Sequence, residues 1–447
     1  MKINKINIGN IFLLSALLML VLGLCFGLLA ATIYIYPDFL KQQIGFISLR
    51  PLHVSSAMFW IILGATGCIY NGMNIYVTHV KTKIIGIIQW ILWLVAIAGI
   101  ITSYFIKDFG GREYWEFNAV WALPIAMAWI LFLINFSSLV YKIKNWPVYI
   151  WMWLTGILFF LFTFTENYLW VFSYFREHFI TDMTIQWKVN GSLVGSWNQI
   201  LYGTAIFLMN KISNTKNSGR SRFAFFMYFL GLFNLMFNWG HHIYTLPTEK
   251  YIRYIGYIVS MTEWAFFIKI VYDWKSSINT IQKHYHYFPY RFIMAADIWV
   301  VINMGQAILM SIPAINIYTH GTHVTVAHAM GTTIGINSMI LLAACFEFLN
   351  FNTVDNLKKR KYLNVIFWTL QISLLIFWLS LNIAGIQKGI WQLSINQGSY
   401  SKMMASLHPY FHLFNISGFF LMISFSAFAF ILIKRSLTRN NIKNNEE

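Results

Sequence analysis

Five residues carry the chemistry most easily read from this sequence. His53 opens one apolar run, His241 and His242 stand side by side near the end of another, and His328 and Met330 lie two apart inside a third. Imidazole is costly in a hydrocarbon setting unless paired or ligated, so histidines at such places read as functional. Neutral imidazole is the commonest metal ligand, and a Met thioether can be an axial haem ligand. Thiolates offer no competing site: Cys25, Cys68 and Cys345 are the only three cysteines, each inside an apolar run and unpaired by spacing. The chain carries no phosphate loop, nucleophile elbow or HExxH zinc motif.

The spacings add detail. Adjacent residues on a helix are about 100° apart, so His241 and His242 can face one ion from a single helix end. His328 and Met330 are about 200° apart and point to opposite sides of their helix, which suits one haem on each face. His408 and His412 read as hydrogen-bonded interfacial groups. His79, His178, His284 and His286 fall in loops or at helix ends and read as solvated, while His320 and His323 lead into the run that holds His328.

The elements that position these residues are membrane helices. Of 447 residues, 58% are hydrophobic, 19% aromatic and only 11% charged, against roughly 25% charged in soluble domains. That composition excludes a soluble enzyme, a disordered protein and a nucleic-acid binder. A bilayer core of roughly 30 Å needs about 20 apolar residues of helix, and about twelve such runs are present. They cover residues 9–35, 52–78, 84–105, 118–141, 146–172, 187–210, 223–246, 251–274, 292–314, 319–349, 362–386 and 408–433. The fold class is therefore an all-α integral membrane protein, one transmembrane domain over residues 1–447 with no soluble domain between spans. The net charge of +17 is distributed unevenly. Roughly 21 of the 32 Lys and Arg fall on one set of helix ends and roughly 9 on the other, which puts both termini in the cytoplasm. Contact with anionic membrane lipid is expected on that face. With this orientation His53, His241, His242 and His328 all fall in the outer part of the membrane.

At this point the residues resemble a family. Arg50-Pro51-Leu52-His53, followed by Val54-Ser55-Ser56-Ala57-Met58-Phe59-Trp60, resembles the second helix of the haem–copper oxidase superfamily. Gly240-His241-His242 resembles the seventh-helix pair that binds the non-haem metal. Tyr318-Thr319-His320-Gly321-Thr322-His323, running on to Ala327-His328, resembles the tenth helix of the catalytic subunit of cytochrome c-dependent nitric oxide reductases, as does the loop Gly111-Arg112-Glu113-Tyr114-Trp115-Glu116. Arg-Pro-Leu-His and Tyr244-Thr245-Leu246-Pro247 are equally similar to the C-family oxygen reductases.

The resemblance implies a subunit I-like bundle in the bacterial inner membrane with two b-type haems, a non-haem iron or copper, and a calcium ion. It implies that His53 binds the low-spin haem, His328 the high-spin haem, and His241 and His242 the non-haem metal. It further implies Glu263 as a catalytic proton relay and Glu116, less readily Glu113, beside the haem propionates with calcium. The expected substrate is a diatomic gas. Because the chain starts almost directly at its first span, the expected electron donor is a small membrane-anchored cytochrome c subunit.

Two departures qualify this. The family's second tenth-helix His is Met330 here, either a haem ligand or a packing residue. The family's sixth-helix His and the Glu four residues later align with Gly191 and Gly195, leaving Asn190 as a substitute oxygen donor if the register slips by one. Oxygen donors suit hard cations better than Cu(I), which favours iron. The function expected is reduction of NO to N2O. The alternatives are an oxygen reductase, an NO dismutase-like enzyme, and a degenerate haem electron conduit or gas sensor.

Overall fold

The computed structural model describes residues 7–74, 80–244, 246–259, 264–351, 356–395 and 397–445. Among these, ten helices are long and apolar enough to cross a membrane: Ile8–Ile33, Gly45–Met73, Lys81–Phe105, Ala119–Val140, Val148–Val171, Arg222–Ile243, Tyr287–Ser311, His323–Phe348, Leu357–Leu393 and Tyr400–Thr438. They correspond to the apolar runs one to five, seven and nine to twelve. The sixth span is the 35-residue helix Phe179–Ser213, whose first turns carry Asp182, Gln186 and Lys188 and so fall short in apolarity. The eighth coincides with two shorter helices, Lys250–Val259 and Trp264–Ser277. Each apolar run of the sequence therefore has a helical counterpart, and the ends differ because helices continue past the hydrocarbon boundary. The clearest case is the last, which runs from Tyr400 to Asn445.

The chain divides into two compact units. The first comprises residues 1–15 and 61–278, the second residues 16–60 and 279–447. In the first unit, aromatic rings fill the space between spans. Trp129 stacks on Phe160 at 4.0 Å between centroids, and Trp115 meets Phe164 edge-on at 5.0 Å. Trp115 belongs to a short antiparallel hairpin, Phe109–Arg112 with Trp115–Phe117, that follows the third span. Gly111 is required there, because a Cβ would overlap the Trp115 carbonyl. Arg112 of the hairpin bonds Asp182 at 2.8 Å and lies 5.2 Å from the Trp170 ring, which fastens the hairpin to the start of the sixth span.

In the second unit, Phe292, Phe346 and Phe428 pack mutually at 5.4–5.7 Å. Such rings contribute both apolar area and edge-to-face attraction. The second and tenth spans are the most enclosed of the candidate crossings, with 83% and 78% of their apolar windows buried. These are the two spans that carry His53, His328 and Met330.

Candidate haem and metal site

The first element to place is His53. Pro51 sits inside the helix Gly45–Met73 and leaves the carbonyl four residues earlier without its helical donor, loosening the turn before His53. The His53 Nδ1 bonds the Gly23 carbonyl of the first span at 2.7 Å. That bond fixes the tautomer with the proton on Nδ1 and leaves Nε2 as a lone-pair donor, the arrangement an axial ligand requires. Gly27, one turn on from Gly23, gives the ring its room, since a Cβ there would lie 2.6 Å from Nδ1. Small residues four apart are how membrane helices come close.

His328 and Met330 end the helix His323–Met330, and the backbone then changes to a π-helical segment, Gly331–Ser338. Wide turns of this kind occur mostly at functional sites because they re-aim side chains. Neighbours support the widened turn. Asn303 of the ninth span donates to Thr332 Oγ1 at 2.7 Å, and Ser338 donates to the Thr333 carbonyl at 2.8 Å. Trp60 Nε1 donates in turn to Ser338 Oγ at 2.8 Å. This last bond fixes the register of the second span against the tenth. His53 lies seven residues before Trp60 and Met330 eight before Ser338, each about 10 Å back along its helix. Alternating crossings run both spans the same way, so His53 and Met330 reach similar depth.

His53 and His328 are deeply enclosed in protein, yet both keep part of their surface accessible. Met330, also half-buried, shares this property. The donor set, the oriented His53 tautomer and the partly accessible ring and thioether surfaces together fit a haem.

The His241–His242 pair lies on a 3-10 turn, Asn238–Ile243, rather than on a regular helix end. Successive side chains there diverge by about 120° instead of 100°, and the two rings still sit 4.1 Å apart, close enough to share one cation. Two contacts hold them. The Trp187 indole of the sixth span lies parallel to His242 at 5.1 Å, with 7° between ring planes. Gly256 lets the helix Lys250–Val259 press against the turn, since a Cβ at Gly256 would be 2.9 Å from the His241 backbone nitrogen.

The sixth span explains the missing family histidine physically. A Cβ at Gly191 would meet the Trp239 Cβ at 2.9 Å, and one at Gly195 would meet the Leu235 Cα at 3.0 Å. Ser192 donates to the Leu235 carbonyl at 2.8 Å. The two glycines are thus the seam along which the sixth and seventh spans touch, and no side chain fits there. Asn190, beside this seam and one turn from Trp187, is 4% exposed, and among the described residues neither its Oδ1 nor its Nδ2 has a hydrogen-bond partner. An orphaned buried amide costs about 1–3 kcal/mol, so the Asn190 oxygen is left able to serve a ligand. Two imidazoles and one amide oxygen fit a harder metal than Cu(I). Among the described residues, no three His, Cys, Asp or Glu side chains gather as a metal site.

Glu116 lies half-buried on the second strand of the hairpin. Glu263 lies outside the described residues. Sequence reasoning missed the ion pair of Glu166 and Lys188, 2.5 Å apart, which joins the end of the fifth span to the sixth one residue from Trp187. It also missed Asn167, 3% exposed with both amide atoms unpartnered. The signal was present, since charges within apolar spans are functional by default. Just ahead of the span His323–Phe348, burial lowers the basicity of His320 below that of an ordinary imidazole.

Known proteins share this architecture. The family model for cytochrome c and quinol oxidase polypeptide I matches residues 7–435. The chain belongs to that family. Within the family it is 22% identical to a nitric oxide reductase chain of Stutzerimonas stutzeri, across 97% of this chain and 96% of that one. It is 23% identical to cytochrome c oxidase subunit 1 of Rhodobacter capsulatus over 85% of this chain and 75% of that one. A cbb3-type cytochrome c oxidase subunit of Stutzerimonas stutzeri is 21% identical over 89% and 88% of the two chains. A haem–copper terminal oxidase, solved as a dimer by cryo-electron microscopy, superposes with a TM-score of 0.71 at 16% identity, covering 97% of this chain and 84% of that one. The chain is therefore a multi-pass haem–copper oxidase superfamily protein of subunit I type, a family of oxidoreductases built around haem and a non-haem metal centre.

Proposed function

We propose that this family member is a nitric oxide reductase-like enzyme: 2 NO + 2 e⁻ + 2 H⁺ → N2O + H2O. The observations that support the reading lie in the first unit: the His241 and His242 rings 4.1 Å apart, Asn190 buried one turn from the Trp187 that covers His242, and no room for a His side chain at Gly191. Such a donor set favours iron over copper and so favours NO chemistry over four-electron oxygen reduction.

His53 and Met330 hold the low-spin haem, His328 the high-spin haem, and His241, His242 and Asn190 the non-haem iron. When bound, these groups supply electrons and Lewis-acid sites for a diatomic gas. The protein's own part is positional. The Gly23 carbonyl holds the His53 tautomer, the Trp187 face lies parallel to His242, and the α-helical spacing of the segment His323–Met330 sends His328 and Met330 to opposite sides. Glu263 serves as a proton relay. Glu116 binds calcium near the propionates. Electrons come from a membrane-anchored cytochrome c subunit, and both termini lie in the cytoplasm.

The test is to count haem, non-haem iron and copper per purified chain, then to measure NO and O2 consumption. Two haems and one further iron, with NO turnover, support the proposal. Copper with O2 turnover replaces it with an oxygen reductase. A second reading, a haem electron conduit or gas sensor, draws on the absence of a three-carboxylate-or-imidazole cluster among the described residues. Haem without any second metal would establish that reading instead.

A further inference from the structure

In the second unit, the ninth span Tyr287–Ser311 and the eleventh span Leu357–Leu393 border a groove of 370 Å³. Its walls are Met294, Ile298 and Ile302 from one helix and Phe367 and Leu375 from the other, with Arg291 at one end. Ile298 is 57% exposed and Trp368, also in the wall, 56%, so the groove opens sideways from the protein, where lipid chains lie. Its length is informative. From Arg291 to Ile302 the helix rises about 16 Å, close to half of the roughly 30 Å hydrocarbon core. The groove thus spans about one leaflet, from headgroup depth towards the midplane.

The Arg291 end is built to hold an anion. The guanidinium lies against aromatic rings, 4.2 Å from the Phe367 centroid and 5.3 Å from the Trp368 centroid. Its Nη1 donates to Tyr287 Oη at 2.9 Å and to Asn364 Oδ1 at 2.5 Å. Nε and Nη2 make no protein hydrogen bond among the described residues, and they form the fork that grips a phosphate. Two more cations lie at this end: Lys283, 5.8 Å from the Tyr290 ring that lines the groove, and Arg360, 3.7 Å from the Tyr287 ring. The amide that lines the inner part of the groove is that of Gln371. Gln371 accepts from Trp299 at 3.1 Å and donates to the Met339 sulfur at 3.3 Å, so its amide is engaged within the protein. A quinone, whose two carbonyls lie on opposite sides of its ring, would find a polar partner on one side alone.

We propose that this groove binds one anionic phospholipid from the leaflet on the basic side of the protein. The phosphate sits on the Arg291 Nε–Nη2 edge, and one acyl chain runs past Met294 and Ile298 to Ile302. Basic pockets between membrane helices recognise lipid headgroups in this way. The inference is independent of the gas the protein reduces.

The experiment is native mass spectrometry of the purified chain, exchanged from detergent into mixed micelles with phosphatidylglycerol or phosphatidylcholine. One retained phosphatidylglycerol per chain is expected, with about fivefold preference over phosphatidylcholine. Arg291→Gln should remove the preference, and Ile298→Trp, which fills the groove and keeps the cation, should remove the retained lipid with an unchanged haem spectrum. Equal retention of both lipids, or unaltered phosphatidylglycerol binding in both variants, would overturn the proposal. So would displacement of the lipid by millimolar inorganic phosphate, which indicates a free-anion site, or by an equimolar quinone, which indicates a quinone site.

Discussion

Replacing Asn190 by Leu has opposite effects on the metal-free and metal-loaded protein if the amide is a ligand. The side chain is 4% exposed and its two polar atoms have no hydrogen-bond partner among the described residues. Without metal, a group in that state carries an uncompensated desolvation cost of about 1–3 kcal/mol. Leucine has a similar shape and no polar atom, so Asn190→Leu should stabilise the chelator-stripped protein by up to that amount. With metal, the amide oxygen completes a set begun by His241 and His242, and its loss should lower the retained non-haem iron. The assay has two readings on each protein: the unfolding midpoint after chelation, and non-haem iron per chain before it. The expected result is a higher midpoint for the stripped variant together with less iron. A lower midpoint in the stripped variant would mean that Asn190 is satisfied in the native state, for instance by water. Unchanged iron would remove it from the metal site. Either outcome refutes the reasoning from the orphaned amide.

Other consequences follow from the same geometry. Gly191→Ala places a methyl 2.9 Å from the Trp239 Cβ; overpacking of this kind costs about 1–3 kcal/mol, and a Tm equal to that of the parent would mean that the sixth and seventh spans are not in contact there. Gly27→Ala puts a Cβ 2.6 Å from the His53 Nδ1 and should shift the low-spin haem spectrum without changing total haem. Met330→His replaces a thioether by a second imidazole and should lower the low-spin haem potential; an unaltered potential in redox titration would reduce Met330 to packing. Burial holds His320 below the ordinary histidine range, so the folded state disfavours its protonation. The stability this contributes is complete above the unfolded value of about 6.5 and falls away as pH drops through it towards the lower folded value. His320→Asn should flatten that acid limb of the melting profile.

The crossings and the candidate site histidines were legible in the linear chain. A membrane helix is specified by the length of its apolar run, a local property, so each run found in the sequence coincides with helix. The histidines were legible for a related reason, because an imidazole inside such a run stands out against its neighbours. The lateral contacts were not legible. Helices that are apolar nearly all round show no preferred face, so nothing local indicated that Gly191 and Gly195 meet Trp239 and Leu235, or that Gly23 and Gly27 receive His53. The substitution of the sixth-helix histidine could be seen in the sequence as a departure. That it leaves no room for a histidine, and that Asn190 is stranded beside it, was decided by packing between elements distant in the chain. The same holds for the 3-10 turn under His241 and His242 and the π-helical turn after Met330. Their geometry depends on Gly256, Asn303 and Trp60, residues brought alongside only when the spans pack.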